Sequence, residues 1–183
     1  MKKIFYVVIF AALVLVACNE QKRNVAKIQP VEEQNENDTT IYGVCGENTA
    51  MHTIELINGD GDTLQFMLND EDAEPASEVE GGLLAGDRLA VVATKIDGEN
   101  IATKVINLTT LQGKWTSVDK NFEIMEDGEV KSNVKAEANP WTSWRILNGR
   151  LLLNKDTFDI NELGADSMYL ENGKGIFVYK RVK

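Results

Sequence analysis

From residue 41 onward, apolar and polar positions alternate in short runs, and most runs stop at a residue pair that turns the chain. Asn58-Gly59, Asp97-Gly98, Asp127-Gly128, Asn148-Gly149 and Asn172-Gly173 punctuate the pattern. Asn-Gly and Asp-Gly accept the positive φ of type I′ turns, and alternation on both sides makes each pair a hairpin signal. No stretch sustains the i, i+3, i+4 spacing of a long helix. Positions 79–85 have room for one helical turn. The pattern predicts an all-β, antiparallel protein.

The runs fall into two groups. The first comprises 41–46, 51–57, 63–68, 87–94 and 100–108, with a long acidic connection, 69–86, between its third and fourth members. Five strands, that connection and a Gly86-Asp87 turn into the fourth strand are similar to a small OB-type barrel. A generic five-stranded barrel or sandwich fits the same count. The second group opens with Gly113-Lys114-Trp115, continues through 122–125, 129–133, 144–147, 151–153, 158–160 and 168–170, and closes on 176–181. Gly-x-Trp in a first strand with Arg181 in the last resembles the short lipocalin-like domains of Gram-negative lipoproteins, over 73 residues here. That resemblance implies that Gly113 and Trp115 close one end of a barrel and that Arg181 lies over the indole in a cation–π contact. Eight strands in so short a segment leave little lumen. The fold class expected is therefore two small antiparallel barrel-like modules, OB-like over 41–110 and lipocalin-like over 111–183.

Ahead of them stands a different kind of sequence. Lys2-Lys3 precedes an apolar stretch of 14 residues, 4–17, too short to span a bilayer and of signal-peptide length. It ends in Leu15-Val16-Ala17-Cys18, which resembles the lipobox of bacterial lipoproteins. The resemblance implies cleavage after residue 17, acylation of Cys18 and a membrane anchor of at least two acyl chains. Asn19 follows Cys18 where inner-membrane retention is associated with Asp, so the outer membrane is the expected location, on either face. Residues 18–40 lack any helical or strand period and read as a flexible tether.

Charge sharpens the division. The chain carries 19 Lys+Arg against 29 Asp+Glu, a net charge of -10. Segment 41–110 holds three bases and thirteen acids, whereas 111–183 holds eleven of each. Two aromatic residues lie in the first segment and eight in the second. An acidic barrel without stacking rings excludes nucleic acid as a partner, because phosphate and base binding need the opposite.

Candidate chemistry is sparse. His52 is the sole histidine of the chain and cannot build a His/Cys metal site by itself. Cys45, in a strand-like apolar run, reads as a buried inert thiol. The loop Asn58-Gly59-Asp60-Gly61-Asp62 is rich in oxygen ligands but lacks the distal Glu of a calcium loop, and reads as a hairpin connection. No triad, P-loop or cofactor motif is present, so neither catalysis nor a cofactor is expected. Two features suit a partner: the acidic run Asp70-Glu71-Asp72-Ala73-Glu74, and Trp141, which faces out or lies at the rim if Trp144 points inward with Ile146. The expected function is a non-enzymatic envelope binding or interaction module with a protein or glycan partner. An acidic inhibitor of a basic enzyme and a carrier of small apolar ligands are the alternatives.

Overall fold

The computed structural model describes residues 38–183, so Cys18, the signal segment and most of the expected tether lie outside the described residues. The first barrel contains β1 (Ile41–Cys45), β2 (Thr53–Ile57), β3 (Thr63–Met67), β4 (Glu78–Glu80), β5 (Arg88–Ile96) and β6 (Glu99–Asn107). A single-turn helix, α1 (Leu108–Leu111), leads into the second barrel. That barrel contains β7 (Gly113–Thr116), β8 (Asn121–Ile124), β9 (Val130–Ser132), β10 (Trp144–Leu147), β11 (Arg150–Leu153), β12 (Asp156–Leu163), β13 (Ser167–Asn172) and β14 (Gly175–Arg181). The protein is all-β in two barrel-like modules, as the alternation predicts.

The first module is a ring in the order β3-β2-β1-β5-β6, closed by a parallel contact between β3 and β6 at Met67 and Ile101. This is a small five-stranded, nearly all-antiparallel barrel-like module. The helical turn expected at 79–85 is instead β4, paired parallel to β6 from Glu78 to Glu80. Gly81 and Gly82 end it at φ 92° and 75°, outside the helical region. A Cβ on Gly81 would lie 2.8 Å from the Asn107 Cβ, so the chain needs glycine to pass there.

The turns divide by chemistry. Asp97-Gly98 (φ 51° and 91°) and Asn148-Gly149 (φ 48° and 75°) have the paired positive φ of a type I′ turn. Asn58-Gly59 does not. Asn58 Oδ1 instead accepts from the backbone of Asp60 and Asp62 (3.0 and 2.8 Å), and Gly61 takes the positive φ. An Asx-type loop competes successfully with the tight hairpin because the amide caps two donors at once.

The second module is an eight-stranded meander in which β14 returns to pair with β7. Its seam, between β9 and β10, is held by Val130 N–H to Thr142 O (3.0 Å) and Trp144 N–H to Gly128 O (2.8 Å). Further along β10, Tyr42 of the first module packs against the second core. The Tyr42 hydroxyl donates to Ile146 O at 2.7 Å. Burial, reinforced by Asp38 and opposed by Arg145, pushes that phenol well above its ordinary pKa.

Burial at the junction departs from alternation. Leu89, Ala90 and Val91 are buried in succession on β5, as are Val105 and Ile106 on β6. Leu89, Val91 and Val105 belong to the first core, whereas Ala90 and Ile106, paired across the strands, belong to the core of the second barrel with Leu108 and Leu111. Strands covered on both faces read as continuous apolar runs. Asn107 makes the turn between cores. Fully buried, it donates to Gly82 O (3.0 Å) and Asp87 Oδ2 (2.6 Å) and accepts from Thr110 N–H (2.9 Å), capping α1. A fragment starting at Leu111 lacks Tyr42, Ala90 and Ile106, and is expected to lose fixed tertiary packing. Near-UV circular dichroism and dye binding should show a molten second barrel, while the full chain unfolds in one cooperative step.

Candidate functional site

The two ends of the second barrel are built differently. At the end facing the first module, Trp115 is fully buried and its Nε1–H donates to Leu111 O at 2.8 Å. The Arg181 guanidinium lies 4.1 Å over the Trp115 ring and spreads its donors across three carbonyls. Nε reaches Ala165 O (2.6 Å), Nη1 reaches Gln112 O (2.7 Å), and Nη2 reaches Thr110 O. A lysine has neither the fork nor the planar face for this arrangement. Gly113 makes room for it: φ is 114°, and a Cβ there would lie 2.7 Å from Arg181 Nη1. This end is a structural clasp. Gly113→Ala is expected to cost about 1–3 kcal/mol, the usual range for local backbone strain. Thermal unfolding should fall by several degrees, at about 2–4 °C per kcal/mol for a body of this size.

At the opposite end, aromatic rings fill the interior. Phe122 packs edge-on against Trp141 (5.1 Å) and Tyr179 (5.2 Å), and Phe158 packs edge-on against Trp141 and Phe177 (5.8 Å each). Such pairs contribute about 0.5–1.5 kcal/mol each beyond their buried area. Trp141 is 9% exposed and lines a cleft at this end, the rim-packed of the two positions that its spacing from Trp144 leaves open. Residues 133–143 form no named strand and join the sheet only at their end, where Ser143 bridges Glu129, so two-residue alternation does not govern most of the connection. Trp144 is half-buried, its Nε1–H bonded to Met125 O at 2.7 Å.

Above these rings lies a cleft of about 900 Å³, lined among others by Trp141, Phe158, Phe177, Tyr179, Ile176 and Lys174. The 133–143 connection is fastened at its edge. Glu137 pairs with Lys120, whose Nζ lies 4.4 Å over the Trp141 ring, and accepts from Ser132 Oγ at 2.6 Å. The Trp141 Nε1–H points to Asp156 Oδ2 at 3.5 Å, and Lys174 Nζ lies 3.5 Å from the other oxygen of that carboxylate. Lys120, Glu137 and Tyr179 carry no sequence motif. Alternation in β14 does put Phe177, Tyr179 and Arg181 on one inward face, which is the signal available for Tyr179.

Partial burial raises the Glu137 carboxyl, but hydrogen bonds from Lys120 and Ser132, with the Lys120 charge, outweigh it and hold the pKa below the ordinary glutamate value. A depressed carboxylate contributes stability above its unfolded pKa, about 4.3, and loses it as pH falls through the lower folded value. Acidification through that lower folded value is thus expected to free the connection and shift Trp141 emission. Glu137→Gln should remove that acid step and lower stability at neutral pH by about 1 kcal/mol.

The remaining candidates do not converge. Asp70, Glu71, Asp72 and Glu74 are exposed on the first barrel, and His52 Nδ1 lies 3.8 Å from Asp70. Cys45 is buried with its sulfur 3.3 Å from Thr49 Oγ1, in a different place from His52. Among the described residues no three His, Cys, Asp or Glu side chains are grouped for a metal ion. A second cleft, also about 900 Å³, runs between the modules. Its charges are turned on one another: Lys104 Nζ meets Glu78 (2.7 Å), Glu80 (3.6 Å) and Ile160 O (3.1 Å), and Arg150 grips Asp159 at 2.7 and 3.0 Å. That cleft is part of the joint. No protein-family model, curated protein or solved structure matches the chain.

Proposed function

We propose that the chain is a lipid-anchored envelope protein, held at the outer membrane through Cys18, that works as a non-enzymatic binding module. Its binding face is the outer end of the second barrel. The observation that carries the anchor is the order of Lys2-Lys3, an apolar stretch of signal length and Leu15-Val16-Ala17-Cys18, ahead of a folded two-barrel body. Support for the binding face comes from the contrast between the barrel ends. One end is closed by the Arg181 clasp and covered by the first module, whereas the other opens a cleft beside Ile176 and Val178, 62% and 43% exposed. Apolar side chains beside a cleft with a few polar groups are the usual make-up of a small-ligand or partner site. The short lipocalin-like identity of this module and the OB-like identity of the first belong to the same proposal.

Labelled palmitate supplied to cells is expected to enter the wild-type protein and not Cys18→Ser, which should leave the membrane fraction. Wild-type protein without label removes the anchor from the reading. A photo-cross-linker placed at residue 176 should give a discrete adduct in intact cells that the same probe at residue 57, on the first barrel, does not. Equal adducts at both positions would refute the assigned face.

A further inference from the structure

Strand β14 is apolar on both faces. Phe177 and Tyr179 pack into the second barrel, half-buried and buried. The alternate positions Ile176 and Val178 face outward, 62% and 43% exposed, and Val182, just past the strand, is 38% exposed. Lys180 alone of these outward positions is polar, the usual choice for a solvated sheet face. Val178 pairs laterally with half-buried Tyr169 on β13. Val118, fully exposed in the β7–β8 turn, lines the cleft beside Ile176 and Val178. Single exposed apolar residues are ordinary, whereas a contiguous group marks an interaction surface.

Charge selects what covers this stripe. Glu171 lies across from Ile176 at one end, and Lys180 stands at the other, both exposed, with Val178 midway. A uniformly acidic or basic partner satisfies only one end. A surface that runs from acid through an apolar centre to base is complementary to itself turned end for end. Two copies stacked face to face with their β14 strands antiparallel meet at Val178 on a two-fold axis. Each Lys180 then lies over the Ile176–Glu171 pair of the other copy, and the symmetry makes two such ion pairs. The net charges agree with this choice of module. Segment 111–183 holds eleven bases and eleven acids, so two copies of it meet without net repulsion. Segment 41–110, with three bases and thirteen acids, repels its own kind.

We propose that the outer face of β14 is the interface of a homodimer, with the two copies related by a two-fold axis at Val178. The proposal rests on the reading of this end as the binding face and names its occupant, a second copy of the chain. The test uses the full chain in isolated membranes under mild oxidation. Val178→Cys should give a disulfide-linked species of twice the mass. The wild-type chain, whose Cys45 is buried, and Ile57→Cys, 37% exposed on the first barrel, should not. Added to Val178→Cys, Lys180→Glu and Glu171→Lys should each cut the dimer yield roughly tenfold, because each turns two attractive pairs repulsive. The two reversals together should restore it. Equal yields at 178 and 57, or charge reversals that leave the yield unchanged, overturn the two-fold arrangement. No dimer at 178, with an adduct to a different protein from the residue-176 probe, overturns the second copy while leaving the binding face standing. No dimer at 178 and no adduct at 176 overturn both.

Discussion

The outer face of β5 and β6 is buried by the second barrel, and the rest of the architecture depends on that contact. In an isolated five-stranded ring, Ala90 and Ile106 would face water. Here they join Leu108 and Leu111 in the larger core, so one pair of strands serves two interiors. Asn107 is the polar hinge of the arrangement, and its three hydrogen bonds leave its buried amide satisfied. Ion pairs between exposed side chains, such as Lys174 with Asp156 at 3.5 Å, add little by comparison, because exposed pairs are worth about 0–1 kcal/mol. Burial of whole side chains at about 25 cal/mol per Å² decides the contest in favour of the apolar contact.

This joint also explains why the ends of the second barrel differ. The end against the first module can be closed with polar contacts because the carbonyls of Thr110 and Gln112, at the close of α1, lie within reach of Arg181. The far end has no neighbour to supply carbonyls, and aromatic edges close it instead. Rings tolerate a partly wet boundary better than an unsatisfied guanidinium would, since only the latter carries a large desolvation cost when unpaired. The cleft lies where side-chain packing takes over from backbone closure.

Most strands were legible in the sequence because a half-buried strand needs alternation to exist, and five turn pairs marked boundaries between runs. β4 was not: Glu78-Val79-Glu80 is too short to show a period, and it forms through its parallel pairing with β6. Ala90 and Ile106 were visible only as interruptions in alternation, since a doubly covered strand looks like any apolar run. The Arg181 clasp was accessible through a resemblance, whereas the cleft was not. Its members come from the β7–β8 turn, the 133–143 connection, β12, the end of β13 and β14, and nothing local records that three-dimensional meeting. Trp141 shows the limit best, because its spacing from Trp144 leaves an outward face and a rim position both open, and packing against Phe122 and Phe158 decides between them.

The bond between Thr39 and the Asn148 turn has a mechanical side. Thr39 donates to Asn148 Oδ1 through its N–H and its hydroxyl (2.8 and 2.9 Å), and Asn148 N–H donates to Thr40 Oγ1 at 2.9 Å. The first described residues are thus fastened to the second barrel before they enter β1 of the first. A pull arriving along the N-terminal segment meets both barrels together and must shear this turn before it can peel β1 from its sheet. Force is shared at the point of entry, and the two barrels answer it as one solid body.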